Sequence, residues 1–348
     1  MDPRVVHRLR CPVCAEPLTE TTAGTARALR CPRRHSFDVA RQGYVNLLAG
    51  RAPHSGDSAE MVAARADFLA AGHYDAIAAA LAATARQIRY AAPPPDRHAA
   101  PHTLCSAATH AAAPDGETCC ADGCRAKAAN QRVGPQAPST PGAPSTPGAT
   151  EQLRDGDAYP LVVDAGAGTG WYLAAVLAAL PDAVGLALDV SKPALRRAAR
   201  AHPRAAAALA DTWQRLPLAD ASAALLLNVF APRNGAEFHR VLDPAGALLV
   251  VTPAEDHLAE LVDALDLLRV DPAKADRVAG SLAGHFTEES VTVHRTRLAL
   301  SRPAVATLVG MGPSAWHTDP DRLAARIAAL PEPVGVTLAV RLGVHRPR

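Results

Sequence analysis

The run Leu161-Val-Val-Asp164 leads without a break into Ala165-Gly166-Ala167-Gly168-Thr169-Gly170, and then into a helix-forming stretch from Trp171 to Leu180. A short apolar strand that ends in closely spaced glycines and re-enters as a helix lets the backbone pass close to a ligand. It commits this part of the chain to a strand–turn–helix unit of the nucleotide-binding kind. Further apolar runs bounded by turn signals lie at Val184 to Asp189, Ala223 to Asn228 and Ala247 to Thr252, and helical patterns follow at Ser191 to Ala201 and Ala254 to Leu268. This alternation predicts an α/β fold: a Rossmann-like, mostly parallel sheet with helices on both faces. Arg295 to Ser301 and Val334 to Val344 read as strands joined antiparallel at one edge.

The glycine turn alone does not name its ligand, because dinucleotide enzymes share it. Three acidic positions narrow the choice. Asp164 ends the glycine strand, where a carboxylate can accept from a cofactor ammonium directly or through water. A pyrophosphate would need apolar space there. Asp189 ends the next strand, where it can take both ribose hydroxyls. Asp211 follows Ala208-Leu209-Ala210 near the expected adenine amino group, and Leu216-Pro217-Leu218-Ala219-Asp220 comes next. Read singly, Asp189 and Asp211 serve equally well as helix N-caps. Read in order with Gly166, Gly168 and Gly170, the set favours S-adenosylmethionine and a class I S-adenosylmethionine-dependent methyltransferase. The fourth strand ends in Asn228-Val229-Phe230-Ala231-Pro232, where such enzymes place groups facing the transferred methyl.

A different chemistry occupies the N-terminus. Cys11-Pro-Val-Cys14 and Cys31-Pro-Arg-Arg-His35 are paired ligands separated by a hydrophilic stretch. Three thiolates and one imidazole complete a closed tetrahedral shell, so the expected metal is a structural Zn2+, without which so small a module should not fold. Whole-chain charge is only +2, from 36 Lys plus Arg against 34 Asp plus Glu, and does not announce nucleic-acid binding. Its distribution does: the basic residues of the N-terminal stretch are all arginines (Arg4, Arg8, Arg10, Arg27, Arg30, Arg33, Arg34, Arg41 and Arg51) against Asp2, Glu16, Glu20 and Asp38. Arginine is the side chain best suited to bidentate phosphate contacts.

Composition divides the chain into a zinc-binding, RNA-recognition module over 1–50, a helical connector over 51–90, an insert over 91–158 and the methyltransferase domain over 159–348. In the connector, Ser58 can cap a helix through Met61, Ala64 and Phe68. A second helix follows through Ile77, Leu81 and Ile88, after a break at Ala71-Gly72-His73-Tyr74. The insert carries the near-repeat STPGAPSTPGAT and hardly any large apolar residue, so it is expected to be disordered, with Cys105, Cys119, Cys120 and Cys124 as surface thiols. No signal peptide opens the chain and no long uncharged apolar run interrupts it, which predicts a cytoplasmic protein with no membrane partner.

With these residues in view, the chain resembles the zinc-containing 23S rRNA guanine-N1 methyltransferases. The matching pieces are LRCPVCAEPL, RCPRRHSFDVARQGYVNLL, GDSAEMVAARADFLAAGHY, VVDAGAGTGWY, LALDVSKPALRRAARAHP, NVFAPRN, VTPAEDHLAEL and MGPSAWH. They run in order through nearly all of the chain outside the insert, and HSFDVARQGYVNLL is far more specific than a CxxC or a glycine loop. The resemblance implies that Cys11, Cys14, Cys31 and His35 bind zinc and that Tyr74, Gly170, Trp171 and His257 contact S-adenosylmethionine. It implies a guanine in a 23S rRNA hairpin loop beside the peptide exit tunnel as substrate, and it makes a homodimer a fair expectation. Several segments sit closer to the macrolide-resistance branch of antibiotic-producing actinomycetes, the tylosin and mycinamicin resistance type. The insert, and GAGTG where some relatives carry a cysteine and a glutamate, depart from the pattern.

The expected reaction is in-line displacement from sulfonium to guanine N1, with a loop guanine splayed onto an aromatic side chain, for which Trp171, Phe230 and Trp316 are candidates. Asn228 and His257 are weak candidates for a catalytic role, and no residue identifies itself as the base. Two rivals remain at this stage: a small-molecule methyltransferase of a macrolide pathway, and a non-catalytic RNA-binding protein with a methyltransferase fold.

Overall fold

The computed structural model describes residues 1–24, 26–50, 56–88, 160–267, 280–312 and 319–348. The insert with its cysteines, and Trp316, lie outside them. An eight-stranded sheet forms the centre. Its strands, in chain order, are β4 (Tyr44–Asn46), β5 (Leu161–Ala165), β6 (Val184–Asp189), β7 (Ala205–Leu209), β8 (Ala223–Val229), β9 (Leu242–Pro253), β10 (Phe286–Leu300) and β11 (Val334–Pro347). They lie side by side as β10-β11-β9-β8-β5-β6-β7-β4. From β4 to β9 every pairing is parallel, and β11 and β10 run antiparallel at the edge. The strand order therefore reverses at β5, which opens a crevice beyond the carboxyl ends of β5 and β8.

The two apolar faces of the sheet are covered differently. Val162, Ala187, Leu225 and Leu227 face a layer that includes α2 (Ala59–Ala70), α3 (Asp75–Gln87), α4 (Trp171–Ala179), α7 (Ala259–Leu265) and α8 (Arg302–Gly310). The alternate residues Leu161, Val163, Leu186, Leu226 and Leu248 face α6 (Gly235–Val241) together with Val5, Val6, Leu9, Leu18 and Leu29 of the N-terminal stretch. That stretch contains α1 (Pro3–Val6) and an antiparallel sheet of β1 (Thr19–Ala23), β2 (Ala26–Arg30) and β3 (Ser36–Asp38).

The stretch from 1 to 50 thus does not close on itself. Tyr44, Val45 and Asn46 pair with Ala207, Ala208 and Leu209 as the parallel edge strand of the large sheet. The Arg10 amide donates to the Pro217 carbonyl and the Ala219 amide to the Arg8 carbonyl, with a bridge between Leu9 and Leu218. The Leu216-Pro217-Leu218 run, read from sequence beside the cofactor positions, is the seam that holds the N-terminal stretch. Its apolar character is explained by what it covers.

The connector folds as expected: Ser58 Oγ accepts from the Met61 amide, and the chain turns at residues 71–74 between α2 and α3. The helix expected from Ala254 starts only at Ala259, after a turn in which Leu258 takes a left-handed φ of 58°. β10 begins at Phe286, well before the expected Arg295; most of its residues are exposed, so burial left little periodicity to read. Among the described residues no single helix is long and apolar enough to cross a membrane.

Candidate metal centre and cofactor site

Cys11 and Cys14 sit on one tight turn, with the Cys11 amide donating to Glu16 O and the Ala15 amide to Cys11 O; Cys31 and His35 sit on a second, closed by Arg34 N to Cys31 O. His35 Nδ1 lies 3.5 Å from Cys11 Sγ and 3.3 Å from Cys31 Sγ, and the Cys14 and Cys31 sulfurs are 3.6 Å apart. All four ligand atoms fall within 4.8 Å of one another. A tetrahedral zinc, with bonds of roughly 2.0–2.3 Å, sets its ligand atoms about 3.5–3.8 Å apart. The donor set and its spacing fit that metal, and bonded sulfurs would lie far closer. With every ligand supplied by protein, the site is structural.

The arginines around it divide once ion pairs are counted. Arg4 pairs with Asp2 at 2.7 Å, Arg33 lies 3.8 Å from Glu16, and Arg27 pairs with Glu20. Arg30, Arg34 and Arg41 are exposed with no carboxylate partner among the described residues.

The crevice at the strand-order reversal holds a cavity of about 640 Å³. Gly166, Gly168, Trp171, Asp189, Asp211, Tyr74 and His257 line it, as the sequence positions require of a common site. Gly166, at φ 82°, leaves no room for a side chain: a Cβ there would meet that of Ala231 at 2.4 Å. Gly170 does not line the cavity. It starts α4 at φ 78°, and a Cβ would strike the Ala198 backbone at 2.9 Å, so its place is in helix packing.

Asp189 accepts from the Gly168 amide through one carboxylate oxygen and from the Ser191 amide through the other, both at 2.8 Å. It locks the glycine turn to the end of β6. Burial pushes its carboxyl above the usual range, against those two hydrogen bonds. The N-cap of α5 (Lys192–Ala198) is Ser191, so Asp189 is not that cap. Asp211 accepts from the Trp213 amide at 2.9 Å, no helix follows, and its second oxygen is buried without a partner. The N-cap reading fails for both.

Asp164 is 1% exposed at the end of β5, and neither carboxylate oxygen has a hydrogen-bond partner. Burial first, and then repulsion from Asp189, push its carboxyl up to about 8. An acid held this way answers a cation such as an α-ammonium. Asp164 is not on the cavity lining, so contact needs a water or a small shift of the wall. Between them, the buried carboxylate and the glycine turn fit the amino-acid and ribose portions of S-adenosylmethionine.

Four neighbours were not legible beforehand. Arg65 of α2 pairs with Asp57, donates to Met311 O at 3.0 Å and lines the cavity beside Gly168. Gly56 packs on Ser191, whose hydroxyl donates to Asp57 O at 2.8 Å. Trp213 and Leu308 also line the cavity. The signal for Arg65 was weak because its partners lie in three separate segments.

Asn228 is fully buried and off the lining; its amide group donates to Ala165 O at 3.1 Å and Pro232 O at 2.8 Å. These bonds pin the turn after β8. Within that turn Phe230 holds φ 54°, a left-handed conformation that costs a non-glycine residue about 1–2 kcal/mol. The Ala339 amide donates to His257 Nδ1 at 3.3 Å, so the proton of the neutral ring sits on Nε2.

A doubly wound sheet with a reversed final hairpin, a glycine turn at the switch point and acidic residues closing successive strands define a class I methyltransferase fold. The zinc-ribbon family described as RlmA, N-terminal matches residues 9–55, so the Cys/His module is a zinc ribbon. Over 348 residues the chain is 58% identical to a Micromonospora griseorubida protein that bears the name of a 23S rRNA (guanine-N1)-methyltransferase, covering all of both chains. It is 46% identical over 347 residues to the 23S rRNA (guanine(748)-N1)-methyltransferase of Streptomyces fradiae, covering 100% of this chain and 99% of that one. The chain belongs to the 23S rRNA (guanine-N1)-methyltransferase family.

Proposed function

We propose that this protein transfers a methyl group from S-adenosylmethionine to N1 of a guanine in a 23S rRNA hairpin loop near the peptide exit tunnel, and that the modification confers macrolide resistance in the cytoplasm of its host. The observation that carries the reading is the joining of an arginine-faced zinc ribbon to a cavity behind whose glycine turn a buried acidic residue lacks a partner. The full-length likeness to a relative named for guanine 748 supports the base and the atom.

In this reading Cys11, Cys14, Cys31 and His35 hold zinc, and the ribbon presents Arg30, Arg34 and Arg41 to the phosphate backbone. Asp164 answers the cofactor's ammonium, Arg65 is the cation beside its carboxylate, and Asp189 and Asp211 take the ribose and adenine. Tyr74, Gly166, Gly168, Trp171 and His257 close the walls, while Gly170 acts through packing. The bound sulfonium supplies an electrophilic methyl and a good leaving group. The protein's own contribution is positioning and the exclusion of water. His257, whose Nδ1 accepts from the Ala339 amide, lines the cavity where it can orient the base or the cofactor. Asn228 acts by holding the Phe230 turn. A homodimer rests on the family resemblance alone, and light scattering tests it.

Incubation with labelled S-adenosylmethionine and unmodified 23S rRNA, followed by primer extension, tests the reading, because N1 methylation blocks base pairing. A single stop at a loop guanine is expected. No label in RNA from protein that binds cofactor would sink it.

A further inference from the structure

The large apolar side chains exposed among the described residues are Val13, Trp213, Phe230 and Val293. Two of these, Trp213 at 55% and Phe230 at 40% exposure, line the same cavity. Single exposed apolar residues need no explanation, but two aromatic faces at one opening do. Neither sits on loose backbone. The Phe230 amide donates to Val251 O at 3.1 Å, and its turn is pinned by Asn228. The Trp213 amide is held by Asp211, and its carbonyl accepts from Asn234 Nδ2 at 3.3 Å, which ties it to the loop after Phe230. Phe230 also keeps its strained φ while its ring stays half-exposed beside Tyr74 and His257, at centroid distances of 6.4 and 6.0 Å, a combination that marks functional turns.

The position of Trp213 adds a second argument. Its loop continues through Arg215, exposed at 62%, to Leu216–Leu218, the seam that holds Arg8 to Arg10 just before the first zinc ligand. The loop therefore links the ribbon to the cavity.

The chemistry of the acceptor decides what such faces are for. Methyl transfer breaks the N1–H bond of guanine, the proton leaving to solvent; the electron pair left on N1 lies in the plane of the ring, so a methyl donor must approach the base at its edge. Both faces of the base are then free, and something must hold them. In a duplex the same edge is paired, so the base has to be splayed out first.

We propose that Trp213 and Phe230 form the platform on which the splayed guanine stacks with its N1 edge turned toward the cofactor; this rests on the methyl-transfer reading above. The test is methyl transfer from labelled S-adenosylmethionine to an unmodified 23S rRNA transcript, alongside calorimetric cofactor binding. The variants are Trp213→Ala, Phe230→Ala and Trp213→Phe. Both alanine variants should lose about ten- to a hundred-fold in kcat/KM for RNA, the size of a lost base–aromatic stack. Cofactor Kd should stay within about twofold, and Trp213→Phe within about threefold of wild type, as expected of sequence-tolerant stacking. Alanine variants that methylate RNA at the wild-type rate would overturn the platform alone. So would a Trp213→Ala variant whose cofactor Kd weakens by the same factor as its RNA kcat/KM falls, since Trp213 would then cover the adenine. No transfer by the wild-type protein would overturn both platform and methyl-transfer reading.

Discussion

The ribbon and the cofactor cavity are stabilised by contrasting means. Between Cys11 and His35 a few local turns bring the ligand atoms together, and the metal does the work that a large core would otherwise do. The cavity draws on Gly56 and Asp57, the glycine turn, the ends of β6 and β7, the turn after β8, and Met311. Those segments are distant in the chain; burial on both faces of the sheet and hydrogen bonds such as Asp189 to Gly168 and Arg65 to Met311 hold them together. The contrast teaches that the two sites should fail separately, except at the seam, where Leu9 and Leu18 of the ribbon share a core with Leu161 and Leu218.

The sharpest way to break that comparison is to remove the metal. Chelation, or Cys14→Ser, should abolish transfer to RNA while leaving the cofactor Kd within about threefold, because no residue of the ribbon lines the cavity. Melting temperature should still drop, since the ribbon covers one sheet face. Calorimetry and a transfer assay on the same sample check this, and joint loss of cofactor binding would show that the regions are one cooperative unit.

Asp164→Asn probes the other region. Losing a charged partner to the cofactor ammonium should weaken its binding by about ten- to a hundred-fold. The unliganded protein should melt close to wild type near neutral pH, because the buried acid is already protonated there and the amide is a neutral group of the same shape. Replacing Arg30, Arg34 and Arg41 together by alanine should weaken RNA binding by about tenfold or more and flatten the salt dependence of log K by about two. Cofactor binding should not change.

A smaller effect follows from the Asp164 carboxyl at about 8. Folded protein holds that proton where unfolded chain has lost it, so the unliganded fold loses stability as pH rises from the ordinary carboxylate range through about 8. Cofactor binding runs the other way. It needs the carboxylate, so affinity should climb by up to about tenfold per unit from pH 6 toward 8, where the ligand's own ammonium begins to titrate. Isothermal titrations across that range should show the slope in wild type and none in Asp164→Asn.

What could be read in advance follows the same division. Cys11, Cys14, Cys31 and His35 are a spacing pattern, and spacing survives in one dimension. The glycine turn and Asp189 were legible for a related reason: a strand's end and the turn after it are neighbours in the chain. The roles of Gly170 and Asn228 were not. Both sit inside motifs, yet one packs against Ala198 and the other bonds the carbonyls of Ala165 and Pro232, partners fixed by tertiary contact. Arg65 sits inside the GDSAEMVAARADFLAAGHY piece, where nothing sets it apart, and Trp213 lies in no motif.

The residue order by itself determined the alternation of strand and helix, the parallel sheet with its reversed edge, the ligand set of the ribbon and the acidic ends of the strands, because each depends on neighbours a few positions apart. Only the tertiary structure decided that Tyr44–Asn46 joins the large sheet, that Leu216–Leu218 receives the ribbon, that Asp164 is sealed without a partner, and that Trp213 and Phe230 face one opening. Those facts depend on which surfaces meet, and burial, not spacing, chooses them.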